Sequence, residues 1–169
     1  MNIRRLNSAD AMAYQALRLA GLQESPSAFG SSYAEEKDRA ITCIEEQLAA
    51  KTDRGLFGAF NGDDLIAVVA LGRENVQKLS HKGIIYTMYV QPEYRNKGIA
   101  RALLFESLTL ARSVPQLMQL NLCVNSMNTK AIRLYESLGF KAFGHEINAL
   151  FVDGEMHDEI HMSLCLHEK

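Results

Sequence analysis

Short apolar runs alternate along the chain with longer segments whose apolar residues recur at helical spacing. The short runs predict seven strands, over residues 3–6, 56–60, 65–72, 84–90, 117–124, 142–149 and 157–166. The helical segments predict four helices, one after Ser8 and three over residues 42–50, 100–113 and 129–138. This order predicts an α/β (α+β) fold of about seven strands and about four helices.

Turn and cap residues mark the boundaries of these elements. Ser8 resembles an N-cap, and Thr42 with Glu45 has the spacing of a capping box for the helix that ends near Ala50. Residues 34–38 are predicted as an acidic turn, and Asn-Gly-Asp-Asp at 61–64 is a hairpin signal. Because no linker or internal repeat interrupts this order, residues 1–169 are predicted to form a single domain.

Composition narrows the class of protein. The chain has 169 residues, of which 47% are apolar and 22% charged, which is typical of a soluble globular domain. No run approaches the ~20 apolar residues of a membrane span. No apolar segment follows the arginines near the N-terminus, so no signal peptide is predicted and a cytoplasmic protein is expected. The net charge of −2 argues against nucleic-acid binding. Buried reduced thiols are expected for the three scattered cysteines, which are Cys43, Cys123 and Cys165.

A basic, glycine-containing segment lies between the strand at 84–90 and the helix at 100–113. The first turn of a helix leaves backbone N–H groups unpaired, and the helix dipole favours negative charge there. Neither the dinucleotide fingerprint G-x-G-x-x-G nor the Walker motif is present. The segment reads R-x-x-G-x-A, with Arg95, Gly98 and Ala100 at the fixed positions. We therefore predict that it binds a pyrophosphate.

A second motif begins at Asn125 and ends at Phe140. Asn128 is an N-cap candidate, and apolar residues at helical spacing follow it up to Leu138. Gly139 stands where a helix needs a left-handed residue after its last turn.

The two motifs, in this order and spacing, resemble the acetyl-coenzyme A site of the GNAT superfamily of N-acetyltransferases. The resemblance implies the GNAT acyl-CoA N-acyltransferase fold, a mixed central sheet of about seven strands flanked by about four helices. It also implies acetyl-CoA as co-substrate and no resident metal. It also implies that a bulge splays the strand before the loop from its neighbour, so that the pantetheine arm pairs with the free edge. The implied cofactor-binding residues are Met88, Tyr89, Val90, Arg95, Asn96, Lys97, Gly98, Ile99, Ala100, Arg101 and Asn128.

Acetyl transfer to an amine requires a base, because an alkyl ammonium has a pKa of about 10.4. It also benefits from an acid at the departing thiolate. The resemblance assigns the acid to Tyr135, since a phenol of pKa about 10 can protonate a thiolate whose conjugate acid lies near 8.5 with little penalty.

The base stays open, because Cys123, Gly83 and Ile84 occupy the positions where relatives carry an acid. Glu35 is favoured, since residues 29–33 could desolvate it and raise its pKa. The other candidates are Glu24, Glu36, His81 and His157.

A metal site is not predicted. His157 and His161 are four residues apart, but they lie on a predicted strand and no H-E-x-x-H motif is present.

The sequence thus predicts an N-acetyltransferase that transfers acetyl from acetyl-CoA directly to an amine, without an acyl-enzyme, because it shows no activated-cysteine motif. A small cationic acceptor is favoured by acids in the segments expected to line the acceptor side. These acids are Glu24, Glu35, Glu36, Asp38, Glu155, Asp158 and Glu159. The alternatives are a protein N-terminal or lysine acetyltransferase and a non-catalytic acyl-CoA-binding sensor. Neither nucleic acid nor membrane is an expected partner, and a homodimer is compatible with the sequence.

Overall fold

The computed structural model describes residues 1–49 and 51–167. The predicted helix end at Ala50 and the last two residues of the predicted domain, Glu168 and Lys169, lie outside the described residues. The seven strands are β1 (Asn2–Arg5), β2 (Gly55–Asn61), β3 (Asp64–Arg73), β4 (Lys82–Val90), β5 (Gln119–Asn125), β6 (Lys141–Val152) and β7 (Glu155–Cys165). The α-helices are α1 (Ala11–Glu24), α2 (Tyr33–Glu36), α3 (Ile41–Leu48), α4 (Ile99–Ser113) and α5 (Thr129–Ser137).

All seven strands join one mixed sheet, in the order β1-β2-β3-β4-β5-β7-β6. Among the strands of the described residues, β4 and β5 are the parallel pair, and α4 is the crossover between them. The other neighbours are antiparallel. The predicted α/β fold with a seven-stranded sheet is confirmed, and α2 adds a single helical turn where the sequence predicted an acidic turn.

Two apolar clusters cover the two faces of the sheet. Alternate residues of β3 point into different clusters: Val69 lies with Leu103 and Leu108 of α4, whereas Val68 lies with Leu17 of α1. Burial of one leucine side chain contributes about 1.5–3 kcal/mol to the free energy of unfolding. Contacts of this kind therefore hold α1 and α4 on the sheet. Helices thus cover both faces of the sheet. The sheet opens where β4 and β5 separate.

Two helical segments begin at residues other than those that the sequence predicts. The helical segment near the N-terminus is capped by Asn7 rather than Ser8, and the Asn7 side chain accepts a hydrogen bond from the N–H of Ala9. The capping box predicted from Thr42 is wrong, because α3 begins at Ile41 without a side-chain cap. Burial of its apolar residues against α1 sets the position of this helix.

The expectation of buried cysteines is wrong. All three cysteines are free and exposed. In β5 the reason is strand alternation: Leu122 and Val124 point into the core, so the intervening Cys123 faces outward. Within residues 1–49 and 51–167, no helix is long and apolar enough to cross a membrane.

Candidate active site

The sheet opens between β4 and β5. These strands pair only from Lys82↔Gln119 to Ile84↔Asn121, and the remainder of β4 leaves β5. On its other edge β4 carries a bulge, since two steps of β3 oppose three steps of β4 around Thr87. Thr87 has a φ of 53°, which is strained for a β-branched residue. The predicted bulge and splayed strand are confirmed, and they leave the β4 edge from residue 85 to residue 90 without strand pairing to β5.

The loop after β4 turns sharply into α4. Asn96 has a φ of 61° and Gly98 a φ of 77°, both in the left-handed region. Gly98 is the N-cap of α4 and accepts a hydrogen bond from the N–H of Ala102. This leaves the first N–H groups of α4 without an intrahelical partner, at the positive end of the helix dipole. Such a helix start is suited to an anion, as the sequence predicts.

A first cleft of about 460 Å³ connects this loop with the free edge of β4. It is bordered by α5 on the far side. Ten of the eleven predicted cofactor-binding residues line it, together with Tyr135, and Lys97 is the exception. The residues that the sequence did not indicate are Ser25, Ala28, Phe29, Tyr94, Lys130, Ala131 and Leu134.

The predicted cationic side chains are each engaged by the protein. Arg95 makes two hydrogen bonds, of 3.1 and 2.6 Å, to the carboxylate of Glu24, and its Nε donates to the Val90 carbonyl. The Lys97 ammonium lies 5.2 Å from the centroid of the Tyr94 ring. Glu24 therefore lies beside the loop rather than on the acceptor side, and the Arg95 guanidinium holds its pKa below the usual range. Arg101 likewise donates to the Ser137 hydroxyl over 2.8 Å.

Asn128 and Tyr135 lie on the α5 wall of the cleft. The side-chain oxygen of Asn128 accepts a hydrogen bond of 3.1 Å from the N–H of Ala131, which confirms the predicted cap. Tyr135 is 6% exposed and meets Phe140 edge to face. Burial raises the pKa of Tyr135 to about 12. Burial therefore favours the protonated form of this phenol more strongly than in a free phenol of pKa about 10.

A second cleft, of about 530 Å³, continues from the first. Residues common to both clefts include Phe29, Met88, Asn128 and Tyr135. The second cleft extends over the sheet face on the α1 side of the splayed strands. Its further lining residues are Arg18, Gly30, Ser31, Ile84, Ile85, Tyr86, Thr87, Cys123, Val124, Asn125 and Glu159.

The physical reason given for Glu35 as the base is wrong. Its carboxylate is exposed and accepts hydrogen bonds from the N–H and hydroxyl of Ser32, as part of the capping box of α2. Hydrogen bonds from Ser32, the backbone bond first, lower the pKa of Glu35 instead of raising it. The neighbouring Glu36 is bound to Arg18, 2.8 Å away. Glu35 and Glu36 are both absent from the described lining of the two clefts.

Glu159 is the carboxylate among the described lining residues of the second cleft. It pairs with Asn125 across β5 and β7, which brings it to the cleft. Burial is the largest cause that raises the pKa of Glu159. The sequence placed it only in a group of acids, because its position depends on the register of strands that are distant along the chain.

The remaining candidates lie elsewhere. His81 and His157 are not among the described residues that line either cleft. Asp158 is bound to His145, with 2.9 Å between Oδ2 and Nε2. No group of three or more metal-ligating side chains occurs in the part of the chain that the structure describes.

Comparison with known proteins agrees with this geometry. Residues 19–140 match the model of the "Acetyltransferase (GNAT) family". The chain is 30% identical over 88 residues to spermidine N(1)-acetyltransferase of Escherichia coli K12, a match that covers 52% of this chain and 47% of that protein. It is 48% identical over 58 residues to mycothiol acetyltransferase of Thermobispora bispora, covering 34% of this chain and 19% of that protein. The chain thus spans about half the length or less of these curated relatives.

Two solved structures share the fold over nearly the whole chain. An acetyltransferase of the GNAT family from Streptococcus pneumoniae superimposes with a TM-score of 0.87 at 21% identity, covering 97% of this chain and 98% of that one. The yncA protein of Salmonella typhimurium, solved with acetyl-CoA, has a TM-score of 0.87 at 20% identity, covering 100% and 95%. Because the family model spans well over half of the sequence, this chain belongs to the acetyltransferase (GNAT) family.

Proposed function

We propose that this protein is an N-acetyltransferase that moves the acetyl group of acetyl-CoA to the amine of a small molecule. The observation that carries the proposal is the meeting of two clefts at Met88 and Tyr135. One cleft ends at a helix start suited to an anion, and the other contains the half-buried carboxylate of Glu159. This arrangement suits a reaction between a long phosphorylated donor and a separate acceptor.

The first cleft offers hydrogen-bonding groups suited to the pyrophosphate and the pantetheine arm of acetyl-CoA. A Cβ built on Gly98 would meet nothing within 4 Å, so an anion can approach the backbone N–H groups of the loop and of α4. The free edge of β4 from Met88 to Val90 offers main-chain groups to an extended pantetheine arm. Asn128 borders the same path. Bound acetyl-CoA supplies an activated thioester, and the remaining steps belong to the side chains.

We assign the general base to Glu159. A carboxylate with a raised pKa is a better proton acceptor near neutral pH than an ordinary surface acid. Its position in the second cleft would let it take the proton of an amine that approaches the junction of the clefts. Tyr135, which stays protonated at any working pH, would donate a hydrogen bond to the sulfur as the C–S bond breaks.

A small acceptor is favoured by the size of the second cleft, about 530 Å³, which is within the usual range of small-molecule sites. The names of relatives support an amine such as a polyamine. The sequence-based case for a strongly cationic acceptor is weaker, because Glu36 forms an ion pair with Arg18 and Asp158 is hydrogen-bonded to His145. We therefore propose a small primary amine and include polyamines as the first candidates.

The deciding experiment is a panel of acceptors with acetyl-CoA, comprising polyamines, amino acids, lysine peptides and peptides with free N-termini. Release of coenzyme A is followed, and the product is identified by mass spectrometry. We expect small amines to be acetylated and peptides to be inert. Acetylation of peptides alone would favour a protein acetyltransferase. Binding of acetyl-CoA without turnover of any acceptor would favour a sensor.

The role of Glu159 has its own test. Glu159→Gln should lower kcat/KM by about a hundredfold or more, with little change in acetyl-CoA affinity. In the parent protein kcat/KM should rise with pH as Glu159 loses its proton, and this limb should vanish in the variant. Glu155→Gln is the matched control, because Glu155 lies on the same strand but outside both described clefts. Equal effects of the two substitutions would contradict the assignment.

A further inference from the structure

Three side chains from three adjacent strands form a hydrogen-bonded chain beside the second cleft. The Sγ atom of Cys123 lies 3.2 Å from Nδ1 of His161. Nε2 of the same ring lies 2.8 Å from Oε2 of Glu146. A thiol, an imidazole and a carboxylate connected in this order have the arrangement of a nucleophilic triad.

Strand register brings the three groups to one face of the sheet. Cys123 of β5 is directly opposite His161 of β7. His161 is in turn opposite Gly144 of β6, and Glu146 follows two residues later on the same strand. Gly144 has no side chain, so the Glu146 carboxylate can reach diagonally to the ring. The three residues are far apart in sequence, which is why no motif indicated them.

The hydrogen bonds define the proton positions that the triad needs. A carboxylate only accepts hydrogen bonds, so Glu146 pairs with Nε2–H, and in the neutral ring Nδ1 is then the acceptor that faces the thiol. Partial desolvation of the sulfur in the cleft, with smaller effects of Glu159 and Glu146, raises the pKa of Cys123 and favours the protonated thiol. His161 is therefore placed to remove the thiol proton as the sulfur attacks.

Cys123 also has access to the reacting region. It is exposed and lines the second cleft together with Met88 and Tyr135, the residues at the junction with the first cleft. The other two cysteines lie outside both described clefts. Cys165 donates its thiol to the backbone carbonyl of His167, and Cys43 lies on α3.

We propose that Cys123 is a second acyl acceptor, which takes the acetyl group of bound acetyl-CoA when no amine occupies the second cleft. The proposal rests on the acetyl-CoA-dependent transfer described above. The Cys123 sulfur forms a bond to the acetyl carbon, its proton passes to Nδ1 of His161, and the C–S bond to coenzyme A breaks. The coenzyme A thiolate takes a proton from the imidazolium or from water. One thioester replaces another, so no oxidant or reductant is needed.

The S-acetyl group then stays available to an amine. Attack by the amine nitrogen forms the C–N bond and breaks the bond to Cys123, and the sulfur recovers one proton while the nitrogen loses one. This route would add a stored acetyl group to the direct transfer that the sequence predicts. Glu146 acts through His161 and is a positioning residue.

The test is incubation with acetyl-CoA in the absence of any amine, followed by intact-mass and peptide mass spectrometry. We expect one added acetyl group on Cys123, removable by neutral hydroxylamine as a thioester. Cys43 and Cys165 report the uncatalysed rate within the same molecule. Cys123→Ala should remove the label, whereas Cys165→Ala should retain it. His161→Gln should slow labelling by about a hundredfold with unchanged acetyl-CoA affinity.

Glu146 is tested by comparison of two substitutions. Glu146→Gln keeps an oxygen that can accept the bond from His161 and should preserve most of the labelling rate, whereas Glu146→Ala should reduce it. Equal loss in both variants, at unchanged melting temperature, would refute the positioning role of Glu146.

The outcomes separate this inference from the proposed function. Amine acetylation without labelling of Cys123, or labelling no faster than that of Cys43 and Cys165, would overturn the inference alone. Labelling of Cys123 without turnover of any amine would support the inference and overturn the proposed acceptor.

Discussion

Gly98 occupies a backbone conformation that few other residues adopt at low cost. Its φ of 77° directs the chain into α4 and opens the loop amides to a ligand. Gly98→Val should weaken acetyl-CoA binding by at least about tenfold, because the new side chain fills the anion's approach and the loop loses charge-assisted hydrogen bonds. Calorimetric titration of the folded variant measures the effect.

The control for backbone strain is Gly62→Val. Gly62 has a φ of 62° in the hairpin between β2 and β3, and a Cβ there would also meet nothing within 4 Å. Both substitutions should destabilise the fold by a similar amount, about 1–3 kcal/mol. Only Gly98→Val should change the affinity. Unchanged affinity in that variant would remove the loop from the site.

Tyr135 should act on the reaction more than on binding. Tyr135 lines both clefts, and Tyr135→Phe keeps the ring that packs on Phe140 but removes the hydroxyl. We expect kcat to fall by about a hundredfold while acetyl-CoA affinity and melting temperature barely change. Tyr14→Phe is the control, since Tyr14 is another buried tyrosine in the opposite apolar cluster. Full turnover at saturating substrate would make Tyr135 a packing residue only.

At the scale of elements, the end of α1 is tied to the loop after β4. Glu24, the last residue of α1, binds Arg95 through two hydrogen bonds. A carboxylate at this position repels a pyrophosphate and competes for the guanidinium. Glu24→Gln should therefore tighten acetyl-CoA binding, by up to about fivefold because the pair is partly exposed and worth no more than about 1 kcal/mol.

Glu93→Gln is the matched control for this pair. Glu93 lies on the same loop, so the substitution changes the local charge equally but leaves the bond between Glu24 and Arg95 in place. The affinities are compared by titration at one ionic strength. Weaker binding in Glu24→Gln would mean that Glu24 holds Arg95 in the orientation that a phosphate needs.

The splayed strands illustrate how an element creates a site. Loss of pairing beyond Ile84 exposes the β4 edge, and the strained Thr87 redirects that edge toward the cleft. Such strain persists only where the surrounding sheet holds it, here through the pairing of β3 with β4. Residues of this β4 edge line both clefts.

At the scale of the whole molecule, we expect positive charge to attract acetyl-CoA only near the first cleft. The net charge is −2, so the protein as a whole does not attract an anion. Lys97, Arg101 and Lys130 are exposed; Arg101 and Lys130 line the first cleft, and Lys97 lies on the loop beside it. Acetyl-CoA affinity should therefore weaken as ionic strength rises from about 0.05 to 0.5 M, over which the screening length falls to a few ångströms. Titration at several salt concentrations measures the slope.

Acetyl-pantetheine, which lacks the nucleotide phosphates, provides the control for this prediction. Its affinity should depend little on salt, because only main-chain groups of β4 would hold it. A salt-independent affinity for acetyl-CoA would show that these cations contribute nothing to binding.

The sequence by itself determined the features that depend on neighbouring residues. The loop at Gly98 and the cap at Asn128 follow from local backbone preferences. The succession of strands and helices along the chain follows from the spacing of apolar residues, so all three could be predicted without coordinates. The same applies to most residues of the first cleft, because they lie within two continuous motifs. The position of α3 was less predictable, since packing of the helix outweighed its apparent cap.

The tertiary structure alone decided the groups that combine residues from distant strands. Glu159, the contact of Cys123 with His161, and the pairing of Glu24 with Arg95 all depend on register or on the meeting of separate elements. The pKa values depend on burial and partners in the same way, which is why the prediction for Glu35 was wrong in direction. Local sequence specifies backbone conformation, whereas side-chain chemistry in this site is set by which distant residues the sheet brings into contact.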